Sequence, residues 1–568
     1  MRQYPITNSI RSTGRLAASG GSWREVLLRS RILRGGRVTK WKGEVASYAP
    51  HVVDCLSCAV RAAGFGLVPL ALLAGLAVGS AGAADVYWDV NGGNPSQGGT
   101  GTWNTSDVVW NLSSDGVAGP FRAWDNAALD NAIFGGAAGT VTLDGAISTG
   151  GLSFSTTGYT LTGGTLSFGG ASPTITVASG DATISSVISG DTLFVKDGAG
   201  DLTLNGANTF TGGMRVEAGK LNVGSDAALG AIDSELVLAD GTGLVTNSAL
   251  DADRVVRLDG GVVWVAGSGV GSARFTGTGG LNVSNGVSLT NDESDYTGST
   301  TLNGANQGGG NILVSSIRNL GEASALGAPT TVEEGTIVFT GGTQYSDRVT
   351  YIGSGDSSNR NWVLSGNATP RRLINEGTGT LSITGDMLIS AQKAHFEAVS
   401  AGFELLGVIS GAPSGEDAAI TFIASANGSI TLGAANTYTH DTTNIRGGVV
   451  RVSALADAGA VSSLGTGSQV NLGDLATLSY TGTGSDSSRG WTSSGQTAIL
   501  NDGTGALALS GDLAFDDDEG VSNEFTLGGD FAGENTFSGT ISGTGDLVGT
   551  GSGVWELSGA NTRTGTIT

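Results

Sequence analysis

Across 568 residues the chain carries 97 glycines, nine prolines and two cysteines, and charged residues make up only 14% of it. That charge content lies well below the roughly 25% of ordinary soluble domains, while glycine follows no every-third-residue period and apolar residues reach 39%, which excludes collagen and argues against disorder. Residues 1–83 hold 11 of the 28 Lys and Arg but three of the 51 acids, so the rest carries 17 bases against 48 acids, a net of −31 that disfavours nucleic acid and anionic lipid as partners.

The first feature in chain order is a long basic stretch that contains Cys55 and Cys58. They form a C-x-x-C with no second pair and no strand–helix context, so neither metal nor redox work is assigned to them. No cysteine follows, which leaves the remaining chain without disulfides or a thiol nucleophile. Next comes "AAGFGLVPLALLAGLAVGSAGA" at 62–83, preceded by Arg61. Its apolar core and small-residue exit read as a signal peptide, with Ala81-Gly82-Ala83 as the A-x-A site and cleavage before Ala84. A membrane-spanning helix is the alternative, and Pro69 with several glycines weighs against it.

Beyond residue 85 the apolar residues alternate in short runs such as "LTL", "LNV" and "TIVF", separated by Gly, Asn, Ser and Thr. This is the pattern of short strands and turns. The runs also repeat. "ISGDTLFVKDGAGDLTLNGANTFTG" (188–212) aligns without a gap to "ISGTGDLVGTGSGVWELSGANTRTG" (541–565), and a looser copy comprises "VISG" (408–411) and "GSITLGAANTYT" (428–439). A longer repeat pairs "LINEGTGTLSITGDML" (373–388) with "ILNDGTGALALSGDLA" (499–514), preceded by the lead-ins "GSGDSSNRNW" at 353 and "GTGSDSSRGW" at 482.

In the unit at 200–223, Leu202 and Leu204 share one strand face, Gly206 supplies a turn through positive φ, and Val216, Leu221 and Val223 occupy the next strands. Each pass buries about four apolar side chains, worth roughly 1.5–3 kcal/mol apiece. That cannot offset ordering about 20–25 residues at about 1–2 kcal/mol each. The unit must therefore stack on copies of itself. The predicted fold is all-β: a right-handed parallel β-helix of roughly 20 coils and on the order of 100 Å. Asparagines on successive coils can bond one another in a ladder at the corners. Separate β-sandwiches would show proline-rich or charged breaks, and none is visible.

The stretch "GAGDLTLNGANTFTGGMRVEAGKLNVGSDAALG" (198–230) resembles the passenger-associated transport repeat of bacterial autotransporters. The opening from Val86, with Trp88, Trp103, Trp110 and Trp124, is similar to the usual start of such passengers. The resemblance covers nearly all of 85–568. It implies a non-enzymatic exported passenger, a β-helical surface stalk or adhesin whose repeats support secretion and folding. The partners it implies are the export machinery of the inner membrane, an outer-membrane β-barrel translocator, and a host or neighbouring cell surface. Its location would be the cell surface or extracellular space, or the periplasm if the chain is truncated, since "SGANTRTGTIT" ends in mid-repeat without barrel strands. The expected division is a leader and signal peptide at 1–83, a tryptophan-rich start at 84–185, and repeats from 186 to 568.

No residue pattern assigns a catalytic, cofactor or metal site. His395 and His440 are the only histidines after residue 83 and lie in no motif. Asp356, Ser357 and Ser358 in "GSGDSS" have a counterpart at 482–490, so they read as repeat turn chemistry. "FDDDEG" (515–520) lacks the alternating acids of a calcium loop. Lys196, Lys220 and Lys393 sit in no acid cluster. The alternatives are a β-helical carbohydrate-active enzyme, or a structural spacer for a missing domain.

Overall fold

The computed structural model describes residues 83–568 apart from 93–96, 116–118, 247, 268, 285, 304–310, 341–346, 367–368, 416–417, 474 and 517–521. The leader assignments on residues 1–82, including Ala81, Cys55 and Cys58, lie outside the described residues.

Alternating apolar residues become strands that bury every second side chain. Leu202 and Leu204 point inward from Asp201–Leu204, and Leu221 and Val223 do so from Lys220–Val223. The two strands pair in parallel, with Leu202 beside Leu221 and Leu204 beside Val223. The same inner row continues coil after coil through Leu244, Val265, Val283, Leu302, Phe339, Leu364 and Ile389. Every member of that row is buried in one continuous core. Each coil thus supplies half of its neighbour's shelter and the partners for its backbone N–H and C=O groups. The product is a parallel β-solenoid of about 18 coils, with a rise of roughly 85 Å at about 4.8 Å per coil.

The cross-section changes along the axis. An 11-stranded sheet holding Asp85–Trp88 ends at Arg274–Gly277, and a second 11-stranded sheet runs from Val287–Leu289 to Ile541–Ser542. A 15-stranded sheet spans the changeover from Gly101–Trp103 to Ile409–Gly411. Later coils touch three sheets, as Trp362–Leu364, Arg371–Asn375 and Leu381–Ile383 show.

The first coil is closed differently. Trp110–Asn111 lies antiparallel to both Asp85–Trp88 and Phe121–Arg122, so the edge of the parallel sheet is covered instead of being left open. Beneath this cover Trp103, Trp110 and Trp124 pack with ring centroids 4.7–4.9 Å apart, and Trp88 joins at 5.2 Å from Trp110. The tryptophan-rich opening is a hydrophobic end cap.

One turn expectation is corrected. Gly206 does not adopt positive φ; its role is close approach, because a Cβ there would lie 2.3 Å from the Ser186 carbonyl oxygen one coil away. The positive φ angles of this unit belong to Gly213 and Gly219, at +86° and +69°.

Candidate functional site at the repeat junctions

The two halves of the short repeat meet in space. Ile188 donates its backbone N–H to the Asn208 side-chain oxygen at 2.7 Å, and Thr209 and Thr211 donate to the Ile188 and Gly190 carbonyls. The looser copy reproduces this with Ile409, Asn436, Thr437 and Thr439, and the third with Ile541, Asn561, Thr562 and Thr564. The spacing between "ISG" and "NT" is therefore one coil. Asn208 then donates from Nδ2 to the Ala228 carbonyl at 2.6 Å, and Asn436 to the Ser463 carbonyl at 2.7 Å. One buried amide thus bridges the strand below and the loop above. The expected corner ladder of asparagines occurs elsewhere, from Asn501 Nδ2 to Asn535 Oδ1 at 2.6 Å. At the repeat asparagines it is replaced by backbone bridging.

The loop above carries its own lock. At Gly230, Gly327 and Gly465 the backbone turns with φ of +74°, +70° and +67°. A Cβ at these positions would strike Phe210, Tyr296 and Tyr438 respectively, at 2.4–2.9 Å. Only glycine lets the ring and the loop lie that close. An arginine from the following coil then closes over the loop. Arg360 donates to the Leu326 and Gly327 carbonyls at 2.6 Å each and to the Arg318 carbonyl at 3.0 Å. Arg489 donates to the Leu464, Gly465 and Ala456 carbonyls at 3.2, 2.6 and 2.9 Å. Arg254 reaches the Leu229 and Gly230 carbonyls and also holds the Asp226 carboxylate, at 2.6 and 2.9 Å. All three arginines are fully buried. Burial pulls the Arg360 and Arg489 guanidinium groups below the usual arginine range and pushes the Tyr296 phenol up to about 12.

The long repeat is the same device in duplicate. Ser358 and Ser487 each accept the backbone N–H of the arginine two residues on, and each donates to the coil below. Tyr351 and Tyr480 accept from Gly355 and Gly484 at 2.8 and 2.9 Å. Asn375 and Asn501 hold Gly377 and Gly503 in the same way. The arginines went unread in the sequence, although S-x-R-x-W recurs at 358–362 and 487–491. Arg254 lacks that context and is found only through its contacts.

A further buried cation, Lys196, is enclosed by carbonyls. Its Nζ donates to Gly198, Gly200 and Ala218 at 2.5–2.6 Å. Burial lowers its pKa to about 8, against the attraction of Asp201 and Asp197. Lys220 instead rests over the Trp264 ring at 4.9 Å.

The remaining candidates are dispersed. His395 stands on Lys393–Ala398 and His440 in the turn before Thr442–Arg446, with Ala419–Ala424 paired between those strands. Burial, followed by the charges of Arg372, Arg446 and Lys393, holds His395 near 4 and hence neutral. His440 Nδ1 is taken up locally by Thr442. Asp356 receives the Ile317 N–H and Ser357 is exposed. Of the acid run, Asp516 is exposed, and 517–520 lie outside the described residues. Among the described residues no three His, Cys, Asp or Glu gather to hold a metal. Ala83 and Ala84 are exposed, and Ala84 begins the first strand pairing through its carbonyl, which accepts the Asn131 N–H at 2.9 Å.

A family described as "Passenger-associated-transport-repeat" matches residues 194–223 and 547–568. The chain carries these repeats, and both windows adjoin or contain strands of the junctions above. It is 47% identical over 551 residues to a protein named "Adhesin BmaC autotransporter" from Brucella suis biovar 1 (strain 1330). That alignment covers 94% of this chain and 16% of the Brucella protein, so the chain spans about a sixth of that relative's length. No solved structure matches.

Proposed function

We propose that this chain is a segment of an exported autotransporter passenger, a non-enzymatic β-helical stalk or adhesin presented at the cell surface. The observation that carries the reading is the 47% identity, along nearly the whole chain, to a relative named as an autotransporter adhesin. The physical properties support it. A chain without cysteine after Cys58 enters a translocation pore without cross-links. Coil-on-coil stacking then lets folding propagate on the far side from any coil already formed. In this reading, signal peptidase cuts between Ala83 and Ala84, and the partners are the inner-membrane export machinery and an outer-membrane β-barrel translocator. The tryptophan cap, 84–185, closes the solenoid, and 186–568 forms the repeat body.

The test is adhesion. Beads coated with the exported chain bind host cells or extracellular matrix, and uncoated beads do not. Equal binding by both would reduce the chain to a spacer. Release of sugars from an acidic polysaccharide would instead support a carbohydrate-active enzyme.

A further inference from the structure

The sequence places a cleavage site at the Ala83–Ala84 bond, and the fold places a buried carboxylate beside the nitrogen that this cut would free. Asp130 is 4% exposed. Its Oδ1 accepts the Ala84 backbone N–H at 2.9 Å, and its Oδ2 is paired with the Arg122 guanidinium. Its own carbonyl receives Thr149 Oγ1 at 2.7 Å and the Gly150 N–H at 2.9 Å, which fixes it to the next coil. Asn131, the following residue, bonds both the Ala84 carbonyl and the Asp85 carboxylate. A carboxylate held this firmly beside one amide N–H is a prepared receptor for a positive charge.

We propose that processing converts this contact into a lock: cleavage of the Ala83–Ala84 bond creates an α-ammonium group on Ala84 that pairs with Asp130 and secures the first coil beneath the tryptophan cap. Water supplies the hydroxyl to the Ala83 carbonyl carbon and a hydrogen to the departing Ala84 nitrogen. The new Ala83 carboxylic acid ionises, and the amine takes up a proton to become NH3+. A donor with partial positive charge is thereby replaced by a full charge against a buried anion, and charge-assisted bonds are about twice as strong as neutral ones. The inference rests on the proposed export and deepens it, because it ties removal of the leader to completion of the cap.

The new amine meets the Asp130 carboxylate, whose other oxygen already holds Arg122, so the attraction of the first is opposed in part by the charge of the second, and the neighbouring Asp85 carboxylate is bound to Asn131. An α-amine has an ordinary pKa of about 7.7–8.0, and pairing raises it in the folded chain. The added stability is therefore complete below that ordinary value and is lost as pH rises through the folded one.

The exported, processed chain is taken for intact mass and then for hydrogen exchange at pH 6.5, before and after selective acetylation of the α-amine. The mass is expected to place the first residue at Ala84. Acetylation is expected to speed exchange of the Val86–Trp88 and Asn131–Phe134 amides by about three- to tenfold, leaving the coils beyond residue 350 unchanged. The difference should vanish above about pH 9.5 and in the Asp130→Asn chain, if that variant folds. A first residue other than Ala84 overturns this inference and the assigned cleavage, with the passenger reading intact. A start at Ala84 with exchange unmoved by acetylation overturns the inference alone.

Discussion

Arg254 and Arg489 close over loops of the same shape, but they are neutralised differently. Arg254 carries a carboxylate with it, Asp226, bound through Nε and Nη2. Among the described residues Arg489 hydrogen-bonds to carbonyls and to the Ser462 hydroxyl, the latter at 3.0 Å, and feels Asp457 through its charge alone; Arg360 matches it with Ser324 at 3.3 Å. A buried charge without partners is costly, yet at two of the three junctions no carboxylate among the described residues forms an ion-pair contact with the arginine. The shared element is the loop, whose glycine turn aims successive carbonyl oxygens at one point. The carbonyl cradle therefore holds the cation, and Asp226 supplements it. Because the cradle belongs to one coil and the arginine to a later one, neither is satisfied until both coils are in place.

The largest effect should come from a junction whose arginine has no ion-pair contact. Arg489→Met removes the charged donor from the Leu464, Gly465 and Ala456 carbonyls and leaves each with a single hydroxyl partner, from Thr443, Ser462 and Ser487 respectively, at a cost of about 3 kcal/mol. Urea unfolding followed by hydrogen exchange should show protection lost around 438–465 first. Arg254→Met should cost less, since Asp226, with its side chain 25% exposed, can turn to water. Equal losses at both positions would mean that the carboxylate adds nothing.

Asn436→Ala comes next, at about 2 kcal/mol, because it strands the Ile409 N–H and the Ser463 carbonyl. Asn436→Asp should recover the first contact and not the second, which an exchange map of the two strands would resolve. The smallest effect is electrostatic. Burial raises the Asp226 pKa, but the bond from Arg254, the Asp251 N–H and the arginine's charge outweigh it and leave the carboxyl below its usual range. A carboxylate depressed in the folded state contributes stability above its unfolded pKa of about 3.9, and that contribution disappears as pH falls through the lower folded value. Acid should therefore loosen the Arg254 junction before the other two. Asp226→Asn should remove this acid sensitivity at a cost of about 1 kcal/mol.

Much of the fold was legible because stacking imposes the same demand on every coil. Alternation located Leu202, Leu204, Leu221 and Val223 on the inner face, and the recurrence of "ISG" and "GANT" announced a repeating unit. What those motifs touch was less legible. Asn208 looked like a rung in a ladder of its own kind, but it serves two backbones instead. Gly206 looked like a conformational necessity, but it is a matter of clearance, and the looser copy carries Ala434 there. The arginines were hidden by a sound general expectation, that charged residues lie outside. Only the geometry of the loops shows where a guanidinium is welcome. The proposed cleavage rests on a sequence signal, whereas Asp130, which accepts the Ala84 N–H, lies 46 residues away and no motif marks it.

The most direct test removes the neighbours. Residues 186–230, excised and studied as a monomer by circular dichroism, contain one full repeat with its leucines, its Asn208 and its glycine turns. The stacking account predicts a disordered peptide with no cooperative thermal transition. A sharp, concentration-independent melt of that peptide would contradict it.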